Sequence, residues 1–193
     1  MNYLPDKIEQ DDELVVDTEQ KEQETSEEKQ EKKKKLPDYS QKIIHDNQTG
    51  ISYNKLFADY LKGATEITLT DPYIRLPYQM RNFMEFCRLI ADIKEKGEMV
   101  KLHLVTSSNE DYLENAKESF QQIQESLESM EVYFTYEFDD GIHDRFIETN
   151  NGWKIILGRG LDIFQKTDGP YDLAEIYQEK RLCKYTQITY LAN

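Results

Sequence analysis

His143, Arg145, Lys154 and Arg159 fall within one stretch, Gly141 to Lys166 (GIHDRFIETNNGWKIILGRGLDIFQK), together with a Gly158-Arg159-Gly160 loop. Imidazole, guanidinium and ammonium groups are the side chains that hold an anionic oxygen such as that of a phosphate, and glycine-flanked backbone amides can add to them. The background makes the grouping unusual. The chain has 38 acidic and 24 basic residues and a net charge of -14, whereas this stretch has four Lys and Arg against three Asp and Glu before His143 is counted. The competing explanation is that the cations merely offset Asp144, Glu148 and Asp162 in surface pairs, which contribute little.

The elements that must position these residues begin with a hairpin. Asn151-Gly152 signals a two-residue turn of type I′, in which both central positions take positive φ. Closed there, the hairpin pairs Thr149 with Lys154, Ile147 with Ile156 and Arg145 with Gly158. Alternation then puts His143, Arg145 and Ile147 on one face and brings the Gly158–Gly160 amides beside Arg145 and His143. The expected site is the mouth of this ribbon, with His143, Arg145, Lys154 and Arg159 on an anion and Asn151, Gly152, Gly158 and Gly160 shaping the turns. Trp153, alternating with Ile155 and Leu157, is expected as a core anchor. Apolar residues on both faces of the two strands place them mid-sheet beneath helices.

Around the hairpin the chain alternates helices and strands. A first helix is read over 52–62, with Leu56, Phe57, Tyr60 and Leu61 at helical spacing and Gly63 after it. The β-branched stretch 66–70 is a strand ending at Asp71-Pro72. A second helix starts near Pro77 and carries Met80, Phe83, Met84, Cys87 and Ile90 or Ala91 on one face, up to Gly97. Strand 100–106 precedes Ser107-x-x-Glu110, a capping-box pattern for a third helix in which Leu113, Ala116, Phe120, Ile123 and Leu127 recur at spacings of three and four. Residues 132–138 and 187–191 alternate as strands. The order predicts an α/β fold with a mixed sheet flanked by helices.

Residues 1–42 read as a disordered acidic tail ahead of one domain over 43–193. Met1 to Ser40 hold 13 acidic and seven basic residues with few aromatics, too little apolar surface to offset the entropy of ordering. Lys32–Lys35 read as part of a solvated spacer. The two cysteines, Cys87 and Cys183, have no metal-ligand spacing, and no metal or cofactor is expected. No signal peptide and no apolar run of spanning length is visible, so the expected location is cytoplasmic, with any membrane contact peripheral.

The segments TGISYNKLFADYL, DPYIR, HDRFIETNNGWKIILGRGLDIFQK and RLCKYT, in this order from about Ile43 to Asn193, resemble the phospholipase D-like C-terminal domain of MIT-domain proteins. The resemblance implies a single phospholipase D-like unit that has lost its phosphodiesterase residues, forms homodimers and associates with phosphoinositide-containing membranes. In the family the domain follows a three-helix MIT module and acts in abscission through ESCRT-III. Residues 1–42 are too few and too polar to hold that module, so ESCRT-III recruitment is not expected of them. Phospholipase D enzymes use H-x-K-x4-D; here His143, Arg145 and Asn150 stand at those three positions. Arginine still binds phosphate bidentately, but asparagine cannot carry the aspartate's charge.

His143 is therefore the one candidate nucleophile, and the expected reading is a pseudoenzyme. His103, mid-strand, reads as structural, and His45 lies at the edge of the tail. Three functions are expected from the residues and the resemblance together: a phosphate-recognising module, homodimeric as the resemblance implies; a protein-interaction adaptor of a larger system, of AAA+ ATPase type as related domains imply; and a residual phosphodiesterase or nuclease.

Overall fold

A computed structural model describes residues 36–167, 169 and 171–193. The expected tail therefore lies outside the described residues up to position 35. Among the described residues the chain runs β1 (Tyr39–Ile44), α1 (Tyr53–Leu61), β2 (Glu66–Thr70), α2 (Pro77–Ile93), β3 (Val100–Thr106), α3 (Leu113–Glu128), β4 (Val132–Phe138), β5 (Phe146–Thr149), β6 (Trp153–Leu157) and β7 (Thr186–Ala192). Two 3-10 turns, Leu173–Glu175 and Gln178–Lys180, precede β7. β1 is a strand the sequence did not predict. It begins at Tyr39, before the expected domain start at 43, and pairs antiparallel with β7 along all six of its residues.

The sheet order is β1-β7-β6-β5-β2-β3-β4. β2, β3 and β4 are parallel to one another and the remaining neighbours antiparallel, so the direction changes between β2 and β5. Leu104, Leu69, Ile147, Ile155 and Tyr190 stand opposite one another across five strands and are all buried. All three helices pack on that face. Tyr60 of α1 stacks on Tyr190 at 4.2 Å between ring centroids, while Phe83 of α2 and Phe120 of α3 lie 5.2 and 6.0 Å from Phe134 of β4. Burying rings of this size contributes about 2 to 3 kcal/mol each.

Among the described residues no helix covers the other face of the sheet. Tyr39, Ile43, Tyr133 and Ile156 are exposed there, which corrects the expectation that β5 and β6 are helix-covered on both sides. Their second apolar face is shielded only locally, by the Lys154 ammonium 4.0 Å from the Phe146 ring centroid. The capping box at Ser107 is also absent. The Ser107 hydroxyl donates to the Pro72 carbonyl at 2.6 Å, Ser108 binds the Asp140 carboxylate through its N–H and hydroxyl, and α3 starts six residues after Ser107, at Leu113. Both cysteines are buried and unpaired.

Candidate functional site

The hairpin closes one residue away from its expected register. Ile147 pairs with Ile155 and Glu148 with Lys154, leaving a three-residue loop, Asn150 to Gly152. Gly152 takes φ +93 and its N–H donates to the Thr149 carbonyl at 3.3 Å, while Asn151 is not at positive φ. This is a type I turn followed by a left-handed glycine. Both asparagine side chains explain the choice. Asn150 accepts from the Thr65 and Glu66 N–H groups at 3.0 and 3.1 Å and donates to Thr65 Oγ1 at 2.7 Å. Asn151 donates to the Tyr60 and Lys62 carbonyls at the end of α1, at 3.0 and 3.1 Å. The tip is thus tied to the α1–β2 connection.

A one-residue slip turns every side chain of a strand to the other face. Lys154 therefore lies opposite Glu148, bonded at 2.8 Å, and not beside Arg145. For Lys154 the charge-offset explanation holds. His143 is exposed in the segment leading into β5 and has no hydrogen bond to a described residue. Asn150 sits at the tip of the hairpin, five residues and roughly 16 Å of extended strand from Arg145.

Arg145 and Arg159 do share a cleft of about 410 Å³, with Gly158. Further lining residues, among them Asp71, Tyr73 and Arg75, come from the connection between β2 and α2. In β2–β5 pairing Thr70 stands opposite Phe146, so Asp71 and Arg145 occupy the next opposed positions beyond the last pair. Pro72 ends the strand, and the Tyr73 N–H folds back onto Asp71 Oδ1 at 3.0 Å, the Asx turn expected of an aspartate at such a break. The Gln79 amide oxygen accepts from the Arg75 and Leu76 N–H groups, which fixes Arg75 at the start of α2. The Tyr73 ring then lies under two guanidinium groups, Arg145 at 4.4 Å and Arg75 at 5.5 Å from its centroid.

The Gly158-Arg159-Gly160 loop closes the cleft by contact with Asp71. Gly160 takes φ +61, and a Cβ there would fall 1.9 Å from Asp71 Oδ2. Asp71 Oδ2 accepts the Leu161 N–H at 3.4 Å, and the Leu161 carbonyl accepts the buried Tyr53 hydroxyl at 2.5 Å. The Gly158 N–H donates to the Gln187 carbonyl at 3.0 Å and that of Gly160 to Leu157 at 3.5 Å. The expectation of free amides around an anion is thereby corrected: the N–H groups of Gly158, Gly160 and Leu161 already have acceptors.

Electrostatically the cleft is short of acceptors. The Arg145 Nη1 donates to the Gly158 carbonyl at 3.0 Å, but its buried Nε has no hydrogen-bond acceptor among the described residues, with Asp71 Oδ1 4.0 Å away. Among the described residues Arg159 reaches only the Asp162 carbonyl, at 3.4 Å, while the Asp162 carboxylate is held by Lys184 at 2.6 Å. Arg75 has no carboxylate partner among the described residues. Asp71 is 3% exposed. Burial pushes its carboxyl up to about 6, against the opposing effect of the Tyr73 N–H, Arg145 and the Leu161 N–H. Sequence reasoning missed Asp71, Tyr73 and Arg75. Their signal was the strand-ending Asp71-Pro72, but only the β2–β5 register brings it to Arg145.

Among the described residues no group of His, Cys, Asp or Glu is placed to hold a metal ion, and no helix is long and apolar enough to cross a membrane. Residues 50–192 match the family model described as the phospholipase D-like domain at the C-terminus of MIT. MIT domain-containing protein 1 of Mus musculus is 39% identical over 158 residues, covering 80% of this chain and 62% of that protein. The chain thus spans about three fifths of the length of this relative.

Proposed function

The chain belongs to the family of phospholipase D-like domains found at the C-terminus of MIT proteins, and from that premise we propose that it is a non-catalytic, homodimeric binding module that recognises phosphate-bearing groups, a phosphoinositide headgroup at a membrane surface being the main case. The observation that carries this reading is the cleft in which Arg75, Arg145 and Arg159 meet, with the Arg145 Nε lacking an acceptor in a chain of net charge -14. Guanidinium groups are the side chains best shaped for a phosphate. The acidic background weakens long-range attraction, but beyond a Debye length of about 8 Å it is screened at physiological salt. Phosphodiester cleavage draws no support from the geometry, because His143 stands outside the cleft and Asn150 is bound at the other end of the hairpin.

Two arms test the reading. Titration calorimetry with a soluble inositol phosphate is expected to show binding that Arg159→Glu or Arg75→Glu removes, and flotation with phosphoinositide-containing vesicles is expected to follow the same pattern. Binding that persists in both variants would place the ligand elsewhere. The homodimer part of the proposal is supported by the uncovered sheet face with Ile43, Tyr133 and Ile156 exposed. Light scattering on the purified domain is expected to give the mass of two copies, and Ile156→Glu to give one; a monomer at all concentrations removes the dimer.

The adaptor reading has one observation of its own. Met80, Met84, Cys87, Ile123, Leu127 and Met130 line a groove of about 440 Å³ between α2 and α3, and methionine-rich grooves adapt to apolar partners. Pull-down that recovers one stoichiometric protein, lost on Met84→Glu and kept on Arg159→Glu, is the outcome that favours it.

A further inference from the structure

Asp71 is the member of the cleft that opposes an anion, and its position is too constrained to be incidental. It is almost fully enclosed, and each carboxylate oxygen takes one backbone N–H, from Tyr73 and from Leu161. The glycine at 160 leaves no room for even a methyl group between loop and carboxylate. The charged and titratable groups facing it come from every neighbouring segment. Arg145 approaches from the start of β5 at 4.0 Å, and Asp162 adds a repulsive charge that Lys184 already holds. The Tyr53 hydroxyl of α1 is engaged by the Leu161 carbonyl. Arg75 and Arg159 line the same cleft.

The Asp71–Arg145 contact is an incomplete ion pair. At 4.0 Å it lies beyond hydrogen-bond distance, so the carboxylate balances the charge of Arg145 without satisfying its Nε–H. An incoming oxyanion offers both charge and acceptor to the same guanidinium group, whose side chain is 26% exposed. We propose that Asp71 is a built-in competitor of the ligand: its carboxylate is the counter-charge of Arg145 while the cleft is empty, and a bound phosphate or sulfate dianion takes over that part. This inference rests on the anion-binding reading of the cleft and adds to it how binding is regulated.

The consequence is a proton linkage. Two anions side by side in a shielded cleft raise each other's proton affinity, and burial has already brought the Asp71 carboxyl to about 6. A dianion bound beside Arg145 therefore drives Asp71 to take one proton from the solvent near neutral pH, and the carboxylic acid that results no longer repels the ligand. By linkage, affinity then falls about tenfold for each unit of rising pH in the range where Asp71 must be protonated for binding.

Sulfate is the probe of choice because it does not itself titrate near neutrality. Calorimetry of sulfate binding to the whole chain at pH 7, in two buffers of different protonation enthalpy, is expected to show uptake of close to one proton per anion. Affinity is expected to drop about tenfold between pH 6.5 and 7.5. Asp71→Asn is expected to bind sulfate more tightly than the parent at pH 7.5, with no proton uptake and no pH slope. Sulfate binding without proton uptake in the parent, or an unchanged slope in Asp71→Asn, overturns the role of Asp71 alone. If neither sulfate nor inositol phosphate binds the parent at any pH, the anion-binding reading falls with it. The two-buffer comparison on the parent decides the matter even if the variant does not fold.

Discussion

Gly160→Ala is the sharpest probe of how the arginine loop and the β2 end are joined. The substitution has two separable costs. A residue with a Cβ at φ +61 pays about 1 to 2 kcal/mol for the left-handed conformation. The new methyl would also sit 1.9 Å from Asp71 Oδ2 and 2.8 Å from its Cγ, so the carboxylate must leave its place. Leaving means losing the Tyr73 and Leu161 N–H bonds, each about 1.5 kcal/mol or more because the acceptor is charged. Together the loss is about 4 to 5 kcal/mol, a large part of the stability of a domain this size. In an Asp71→Ala background the carboxylate is gone, and Gly160→Ala retains the backbone cost, about 1 to 2 kcal/mol, with the Arg145 Cδ 3.1 Å from the new methyl. The coupling between the two sites is thus about 3 kcal/mol, far above what independent sites show. Urea unfolding at pH 7.5, followed by the fluorescence of the single tryptophan, Trp153, and by circular dichroism, measures all four corners of the cycle. Equal costs of Gly160→Ala in both backgrounds would refute the contact.

Three further outcomes are expected. Asn150→Ala loses three side-chain hydrogen bonds and is expected to lower stability by about 2 kcal/mol in the same assay, whereas Asn150→Asp, which keeps both N–H acceptances, changes it by less than about 1 kcal/mol and confers no hydrolysis of bis-p-nitrophenyl phosphate; measurable turnover would overturn the structural role given to this position. The Asp71 carboxyl, at about 6 in the folded state against about 3.9 unfolded, holds its proton more tightly when folded. Its ionisation therefore costs stability as pH rises from about 4 to about 6, and parent stability relative to Asp71→Asn is expected to fall by about 3 kcal/mol over that window and stay level above it; a flat difference contradicts the burial of an ionisable group there. Lys154→Ala removes the pair with Glu148 and the ammonium contact with the Phe146 ring, neither of which involves a residue lining the cleft, and is expected to leave inositol phosphate affinity within about twofold; a loss as large as that of Arg159→Glu would return Lys154 to the site.

The helices were legible because their apolar spacing is local. Leu56, Phe57 and Leu61, and Ala116, Phe120, Ile123 and Leu127, are buried as their periodicity requires. β1 was not legible. Its six residues lie next to a lysine run, and Ile44 is the one that is fully buried; what makes it a strand is pairing with β7, at the far end of the chain. The hairpin was legible as a hairpin but not in its register, because Asn150 and Asn151 are engaged by backbone groups of the α1–β2 connection that no local rule contains. That single step moved Lys154 to the uncovered face and kept Arg145 on the other. Arg145 and Arg159 could be brought together from sequence because only thirteen residues of hairpin and loop separate them. Asp71, Tyr73 and Arg75 needed the one antiparallel junction beside the parallel strands, and β2–β5 pairing is a property of the whole sheet.

If the cleft of Arg75, Arg145 and Arg159 receives a phosphate-type anion as proposed, the Arg145 Nε–H, which has no acceptor among the described residues, is its natural reporter. Nitrogen–proton correlation spectra of the arginine side chains, recorded during titration with inorganic phosphate, read it directly. The Arg145 Nε–H signal is expected to move downfield and saturate, with the movement lost in Arg159→Glu. A signal that stays in place while phosphate shifts resonances elsewhere in the molecule would contradict the claim.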